Sequence, residues 1–415
     1  MKDFWSNIRR CFTNRLLQAL LLVLLGIGLG ASGSRLIPPK QPTVPVASEL
    51  GTRLPSGPWG ELYRVPFSIS APEELIPLRT IEAGGTHWLL KNFTVSEFAH
   101  LLTSTDLPAS LENAWLDPAV ARVAGRDVEL TPTPEMIISL PAKARQIIYR
   151  QLAQFPENGS ALAYIHKTCV GERFDGSGVS PQTLALFRTL CSEHGDYLVF
   201  GGLPAMLTQL PAYEEKVRFM KALTRQKTML LRLRLTKDSD VADLSRYWGR
   251  GPWAANVRTI LESIDQVPGG TFMSLMALLP PQPSSQLYFY PVPRPASPNQ
   301  PAPVRDCHWT SLNFFRTWED QEPVDPASFV QQISENYYPL SGDPRYGDVL
   351  ILTRPDGGIV HSAVFIAADV VFTKNGATEI YPWMLSTVPD LLKHYSFQAP
   401  EGQQLSVRYF RSKDG

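Results

Sequence analysis

The sequence predicts an α+β protein, with a mainly helical N-terminal region and a final unit in which a helix precedes an antiparallel sheet. Two observations lead to this prediction. Apolar residues recur at helical spacing through much of 85–280, whereas β-branched and aromatic runs separated by glycine turns fill 348–410. A third observation, an uncharged apolar stretch near the start, predicts a membrane or signal segment ahead of the folded part.

Residues 1–33 are expected to be either a signal peptide or an N-terminal membrane anchor. Basic residues outnumber the single acid Asp3 in the first 15 positions, and 16–29 is apolar and uncharged. This charge bias predicts that the N-terminus stays inside and the rest of the chain outside. The expected location is therefore the extracytoplasmic side of the cell envelope. There the protein is either anchored to the inner membrane through residues 16–33 or secreted.

Proline-rich stretches divide the remainder. We expect linkers at 34–58 and 281–304, which flank a mainly α-helical domain of unknown role at 59–280. The chain has no net charge, so nothing in its composition predicts a nucleic-acid partner. Within this domain the periodicity predicts five longer helices, at 134–155, 180–192, 213–235, 239–248 and 252–264.

The last unit, 305–415, changes character. One helix is expected from 307 to about 318. It is followed by strands at 348–353, 361–367, 369–374 and 405–410, with tight turns at Gly357-Gly358 and Asn375-Gly376. A helix followed by an antiparallel meander is an α+β layout.

The cysteines that follow the apolar segment are Cys169, Cys191 and Cys307. In an oxidising compartment Cys169 and Cys191 could pair, which leaves Cys307 single. Cys307 falls in the first turn of its predicted helix, where the helix dipole and free N–H groups favour a thiolate. His361 begins a later strand and could serve as its base. The groups available to orient this histidine are Thr373, Lys374 and Asn375, of which Asn375 is chemically the best acceptor.

The order of these residues resembles the NlpC-type family of bacterial cell-wall cysteine peptidases and amidases. Asp306-Cys307 opens the helix, Gly347-Asp348 opens the next strand, and His361 opens the following one. The resemblance covers 305–376. It implies a papain-like fold for 305–415 and cleavage of amide bonds, with peptidoglycan peptides as the substrate.

The chain departs from the family pattern at several positions. His308 and Trp309 stand where the family has small residues, and they are expected to narrow the substrate cleft, which Asp306 would also line. The third catalytic position falls on Thr373. An upstream tyrosine near the oxyanion side would be Tyr288 or Tyr290.

The predicted function is hydrolysis of an amide by Cys307 and His361, with Asn375 or Thr373 orienting the histidine. The expected partner is a cell-wall peptide or another extracytoplasmic amide. No phosphate-binding, dinucleotide or zinc motif occurs, so neither a cofactor nor a metal is expected. Two alternatives remain open. One is a catalytically inactive binding or scaffold protein on the same fold, and the other is a thiol-dependent acyl or peptidyl transferase.

Overall fold

A computed structural model describes residues 51–292, 305–317 and 324–414. These ranges contain both helices and antiparallel sheets, which confirms the α+β class. No helix within them is long and apolar enough to cross a membrane. The predicted membrane or signal segment at 1–33 lies outside the described residues.

The N-terminal region holds more β structure than the sequence predicts. Its strands form one four-stranded sheet, in the order β1-β2-β9-β10, and two three-stranded sheets, β3-β5-β4 and β6-β8-β7. The strands are β1 (Thr52–Arg53), β2 (Glu61–Ile69), β3 (Trp88–Leu90), β4 (Ala121–Ala124), β5 (Asp127–Leu130), β6 (Ala163–His166), β7 (Cys191–His194), β8 (Tyr197–Phe200), β9 (Gln226–Leu235) and β10 (Thr271–Ser274). The α-helices around them are Leu78–Gly84, Val95–Thr103, Ala109–Trp115, Pro134–Ile138, Ala142–Leu152, Cys169–Phe174, Pro181–Leu190, Leu203–Gln209, Tyr213–Leu223, Val241–Trp248 and Ala254–Asp265.

The predicted helix at 213–235 is wrong in its second half. The helix ends at Leu223, and β9 follows and pairs with β2 along all nine residues of that strand. The reason is the alternation in β9, where Leu231, Leu233 and Leu235 are buried on one face. The basic residues between these leucines lie on the opposite face of the strand. A helix would not separate the leucines from the basic residues in this way.

The predicted linkers are also partly folded. Thr52–Arg53 pairs with β2, and Leu54 is buried. Residues Pro281–Gln286 form a helix, and Leu287 is buried and bridges Trp383 in the C-terminal sheet. The chain from Gly51 onward groups as one compact unit, without a division at 281–304. Parts of these segments fold, although extended linkers were predicted, because apolar side chains between the prolines pack into the core.

The C-terminal region is a six-stranded antiparallel sheet in the order β11-β16-β12-β13-β14-β15. All four predicted strands are present, and strands 337–339 and 383–387 were not predicted. The strands are β11 (Tyr337–Pro339), β12 (Val349–Thr353), β13 (Ile359–Ala367), β14 (Val370–Lys374), β15 (Trp383–Thr387) and β16 (Ser406–Ser412). The α-helices are Cys307–Leu312, Pro326–Asn336 and Val388–Tyr395, which we call the cysteine helix, the middle helix and the covering helix.

The two faces of this sheet carry different cores. Val364 and Phe372 face a large apolar core that includes Trp309 of the cysteine helix and Leu231 of β9, so the N- and C-terminal regions share it. Alternate residues, such as Ala363, face a smaller core under Leu391 of the covering helix. Hydrogen bonds reinforce the contact between the regions, among them Thr228 Oγ1 to the Leu385 carbonyl at 2.8 Å.

Candidate active site

Asp306 places Cys307 at the start of its helix. The Asp306 carboxylate accepts a hydrogen bond from the Trp309 N–H at 2.9 Å, which is a helix N-cap. The helix ends at Leu312, earlier than predicted, where the Asn313 side chain donates to the Trp309 carbonyl at 3.0 Å. Local sequence therefore determines where the thiol stands on the fold.

The Cys307 thiol is buried against β13. Burial raises its pKa to about 12, and the neighbouring Asp306 charge acts in the same direction. Hydrogen bonding from the backbone N–H groups of Ser362, Cys307 and His308 acts on the sulfur in the opposite direction. The thiol is thus protonated at neutral pH and faces backbone donors of the kind that stabilise an oxyanion.

His361 lies fully buried on β13, with one ring nitrogen anchored. Its Nε2 is 2.8 Å from the Thr373 Oγ1, and the Thr373 hydroxyl donates to the Ser362 carbonyl at 3.2 Å. A threonine hydroxyl has one proton, so Oγ1 must accept from the Nε2–H of His361. The proton on Nε2 leaves Nδ1 with a free lone pair.

The Nδ1 atom of His361 is buried without a hydrogen-bond partner in the part of the chain that the structure describes. Burial holds the pKa of this imidazole well below its usual value, and the charges of His308 and His394 lower it further. The ring is therefore neutral, and its free Nδ1 can act as a base. No hydrogen bond joins it to the Cys307 thiol in the described contacts.

The Cys307 thiol contacts β13 at Ser362, the residue that follows His361. The Ser362 hydroxyl faces the cysteine helix, where it lies 3.0 Å from His308 Nδ1 and 2.9 Å from Ser311 Oγ. His361, one residue earlier in the strand, faces the opposite side of the sheet. The covering helix lies on that side, and its Tyr395 ring stacks on the imidazole.

Of the two predicted orienting residues, Thr373 is the one that contacts His361. Asn375 does not contact His361. Its amide donates to Gln226 Oε1 at 3.2 Å, and its Oδ1 accepts from the Tyr395 hydroxyl at 3.4 Å. Asn375 lies one residue beyond the end of β14, which moves its side chain away from the imidazole.

The residues expected to line the substrate cleft have other positions. Trp309 is buried in the core shared by the two regions, and the His308 ring stacks on Phe329 of the middle helix at 4.2 Å. Tyr290 packs against the N-terminal core, and its hydroxyl has no hydrogen-bond partner among the described residues. Asp306 caps the cysteine helix. These contacts are structural, and a substrate contact by any of these four residues stays a prediction.

The Gly347-Asp348 pair is structural. Asp348 is buried and accepts two hydrogen bonds from Arg411, at 2.9 Å and 2.7 Å. Gly347 has a positive φ of 91°, and a side chain there would collide with the Phe315 ring. This pair fixes the start of β12 and does not approach Cys307.

Sequence reasoning missed Tyr395, because no motif singles out the covering helix. The helical spacing of Val388, Leu391, Leu392 and Tyr395 was the available signal for an amphipathic helix. The side chain of Lys374, considered above as an orienting group, donates from Nζ to the carbonyls of Gly376 and Thr378 at 2.7 and 2.8 Å. It therefore holds the turn after β14.

The thiols of Cys169, Cys191 and Cys307 are all free, so the considered pairing does not occur.

In comparisons with known proteins, no family model, no curated protein and no solved structure matched the chain. A functional assignment therefore depends on the chemistry of the residues described above.

Proposed function

We propose that the chain is a thiol-dependent hydrolase of amide bonds, with Cys307 as nucleophile, His361 as base and acid, and Thr373 as the orienting residue. The observation that carries this proposal is the unpartnered Nδ1 of a fully buried His361 whose Nε2 is anchored. A buried polar atom without a partner costs about 1–3 kcal/mol. A base that accepts the proton of a nucleophile during the reaction accounts for such a cost.

The proposed reaction needs no group beyond these side chains and water. Nδ1 of His361 takes the thiol proton as the Cys307 sulfur bonds to the amide carbon, and backbone N–H groups near the sulfur stabilise the oxyanion. The imidazolium then returns the proton to the departing amine, and a thioester remains. Water, deprotonated by the same nitrogen, attacks the thioester, which releases the acid and restores the thiol.

The substrate class and the location follow from the family resemblance. A helix that carries the cysteine, packed on an antiparallel sheet that carries the histidine and its orienting residue, is consistent with a papain-like domain. On this basis we propose an extracytoplasmic protein that cleaves peptidoglycan peptides and is held at the membrane, or exported, by residues 16–33. Incubation of peptidoglycan fragments with the full chain should release new amino groups, and Cys307→Ala should abolish their release.

A substrate-independent test is the labelling of Cys307 by chloroacetamide at pH 7, quantified by mass spectrometry so that Cys169 and Cys191 are counted separately. His361→Ala should slow labelling about 100-fold, because a positioned base supplies a factor of this order. The matched control is His87→Ala, which removes an exposed histidine in the N-terminal region and should leave the rate unchanged. His308→Ala tests whether the neighbouring histidine is the base instead.

A second candidate is a catalytically inactive binding protein on the same fold. It is favoured by the burial of the Cys307 thiol, which raises the thiol pKa to about 12. Buried cysteines in apolar surroundings are inert. If His361→Ala leaves the labelling rate of Cys307 unchanged, and labelling becomes fast only at strongly alkaline pH, this second candidate replaces the hydrolase.

A further inference from the structure

A cleft of about 70 Å³ with several charged side chains lies where the N-terminal region meets the C-terminal sheet. The Cys169–Phe174 helix contributes Glu172 and Arg173 to it, and Arg225, just before β9, and Lys227 in β9 are the other charged residues from this region. The C-terminal region contributes Asn375, Asp390 and His394, among others. Neither Cys307 nor His361 lines this cleft, so it is distinct from the proposed catalytic pair.

The positive charges of the cleft are not fully matched by acids. Lys227 pairs with Glu172 at 3.1 Å, and the Asp390 charge also acts on it. Arg173 and Arg225 are half-buried and use only backbone carbonyls, those of Leu223 and Asp175. Neither guanidinium makes an ion pair with a described residue.

We propose that this cleft binds a carboxylate group of a small ligand through Arg173 and Arg225. Three basic and two acidic side chains line it, which leaves a net charge of +1 and matches a monoanion. A guanidinium presents parallel N–H donors that fit the two oxygens of a carboxylate. Removal of water from a half-buried arginine strengthens its attraction for an anion.

The cleft is connected to the proposed catalytic histidine through two side-chain contacts. Asn375 lines the cleft and accepts the hydrogen bond of the Tyr395 hydroxyl at 3.4 Å. His394 also lines it, and the next residue, Tyr395, stacks on His361. Resting on the proposed function, this connection points to amides that carry a free carboxylate as the substrate class.

The test is calorimetric binding to the full chain carrying Cys307→Ala, so that no turnover occurs. The probes are N-acetylglycine, its neutral analogue N-acetylglycinamide, and inorganic phosphate. N-acetylglycine should bind, and the amide should not. Arg173→Gln and Arg225→Gln should each weaken binding about tenfold, as expected for one lost charge-assisted hydrogen bond.

Arg258→Gln is the matched control, because Arg258 is an exposed arginine of the Ala254–Asp265 helix and does not line the cleft. If Arg173→Gln fails to fold, Arg225→Gln is sufficient for the test, since it removes the other unpaired positive charge of the same cleft. Equal binding of acid and amide, binding of phosphate alone, or affinity unchanged by both substitutions overturns the proposal. Because the assay lacks the thiol, its failure leaves the labelling test of Cys307 intact, and failure of that test leaves carboxylate binding intact.

Discussion

The Tyr395 ring stacks on the His361 imidazole, with ring centroids 4.3 Å apart and 24° between the planes. The tyrosine hydroxyl bonds to Asn375, and the helix that carries it packs on the same face of the sheet. The proposed base is therefore shielded from solvent by a side chain of the covering helix. A substrate can reach Nδ1 of His361 from this face of the sheet only if Tyr395 moves.

Removal of the Tyr395 ring should expose the candidate site. Tyr395→Ala is expected to increase the rate of Cys307 alkylation several-fold, because burial raises the pKa of Tyr395 and a thiolate at Cys307 would raise it further, which places the two side chains near each other. The truncation should also lower the free energy of unfolding by about 3 kcal/mol. Tyr395→Phe keeps the ring and is the control. Equal alkylation rates in both variants would contradict the shielding role.

Loss of the Thr373 hydroxyl should leave the buried Nε2–H of His361 unsatisfied. Thr373→Val is expected to lower the free energy of unfolding by about 1–3 kcal/mol, which chemical denaturation measures. Thr373→Ser keeps the hydroxyl and should cost less. If valine and serine variants are equally stable, the hydrogen bond to His361 is not what holds the ring.

The burial of His361 and the partial burial of His394 should make the free energy of unfolding depend on pH. Burial lowers the pKa of His361 well below 6.5, and burial together with the Arg173 charge lowers that of His394 to about 3. Between the folded and unfolded pKa values the unfolded state binds more protons. Stability is therefore full above about pH 6.5 and falls as the pH drops, by at most about 1.4 kcal/mol per pH unit for each group.

The contribution of His361 is isolated by comparing the native chain with His361→Gln. Urea unfolding at pH 7, 6, 5 and 4 should show a shallower loss of stability in the variant, because one titrating group has been removed. Carboxylates titrate in both proteins and cancel in the difference. Parallel curves would show that His361 keeps an ordinary pKa in the folded protein.

The ion pair at the start of β12 should be important for stability. Arg411→Gln leaves the Asp348 carboxylate buried, with only Arg250 at 3.9 Å as a charged partner. The expected loss is about 3 kcal/mol or more in the free energy of unfolding. Arg408→Gln removes an exposed arginine of the same strand and should change stability by less than about 0.5 kcal/mol. Equal effects of the two substitutions would refute the structural role of Asp348.

The sequence determined the elements whose signals are local. Asp306 caps the helix that begins at Cys307, and the apolar runs that contain His361 and Thr373 form neighbouring strands as predicted. Both features depend on residues within a few positions of one another, on a side-chain cap in one case and on the two-residue period of a strand in the other. This is why the candidate cysteine and histidine could be identified before the fold was known.

Only the tertiary structure decided the features that depend on distant partners. The second half of 213–235 has the alternation of a strand, and pairing with β2, more than 150 positions earlier, makes it one. Asn375 contacts Gln226 rather than His361, and Tyr395 covers the imidazole from a helix that no motif marks. Local sequence encodes backbone preference and the alternation of faces, whereas long-range packing decides which side chains meet.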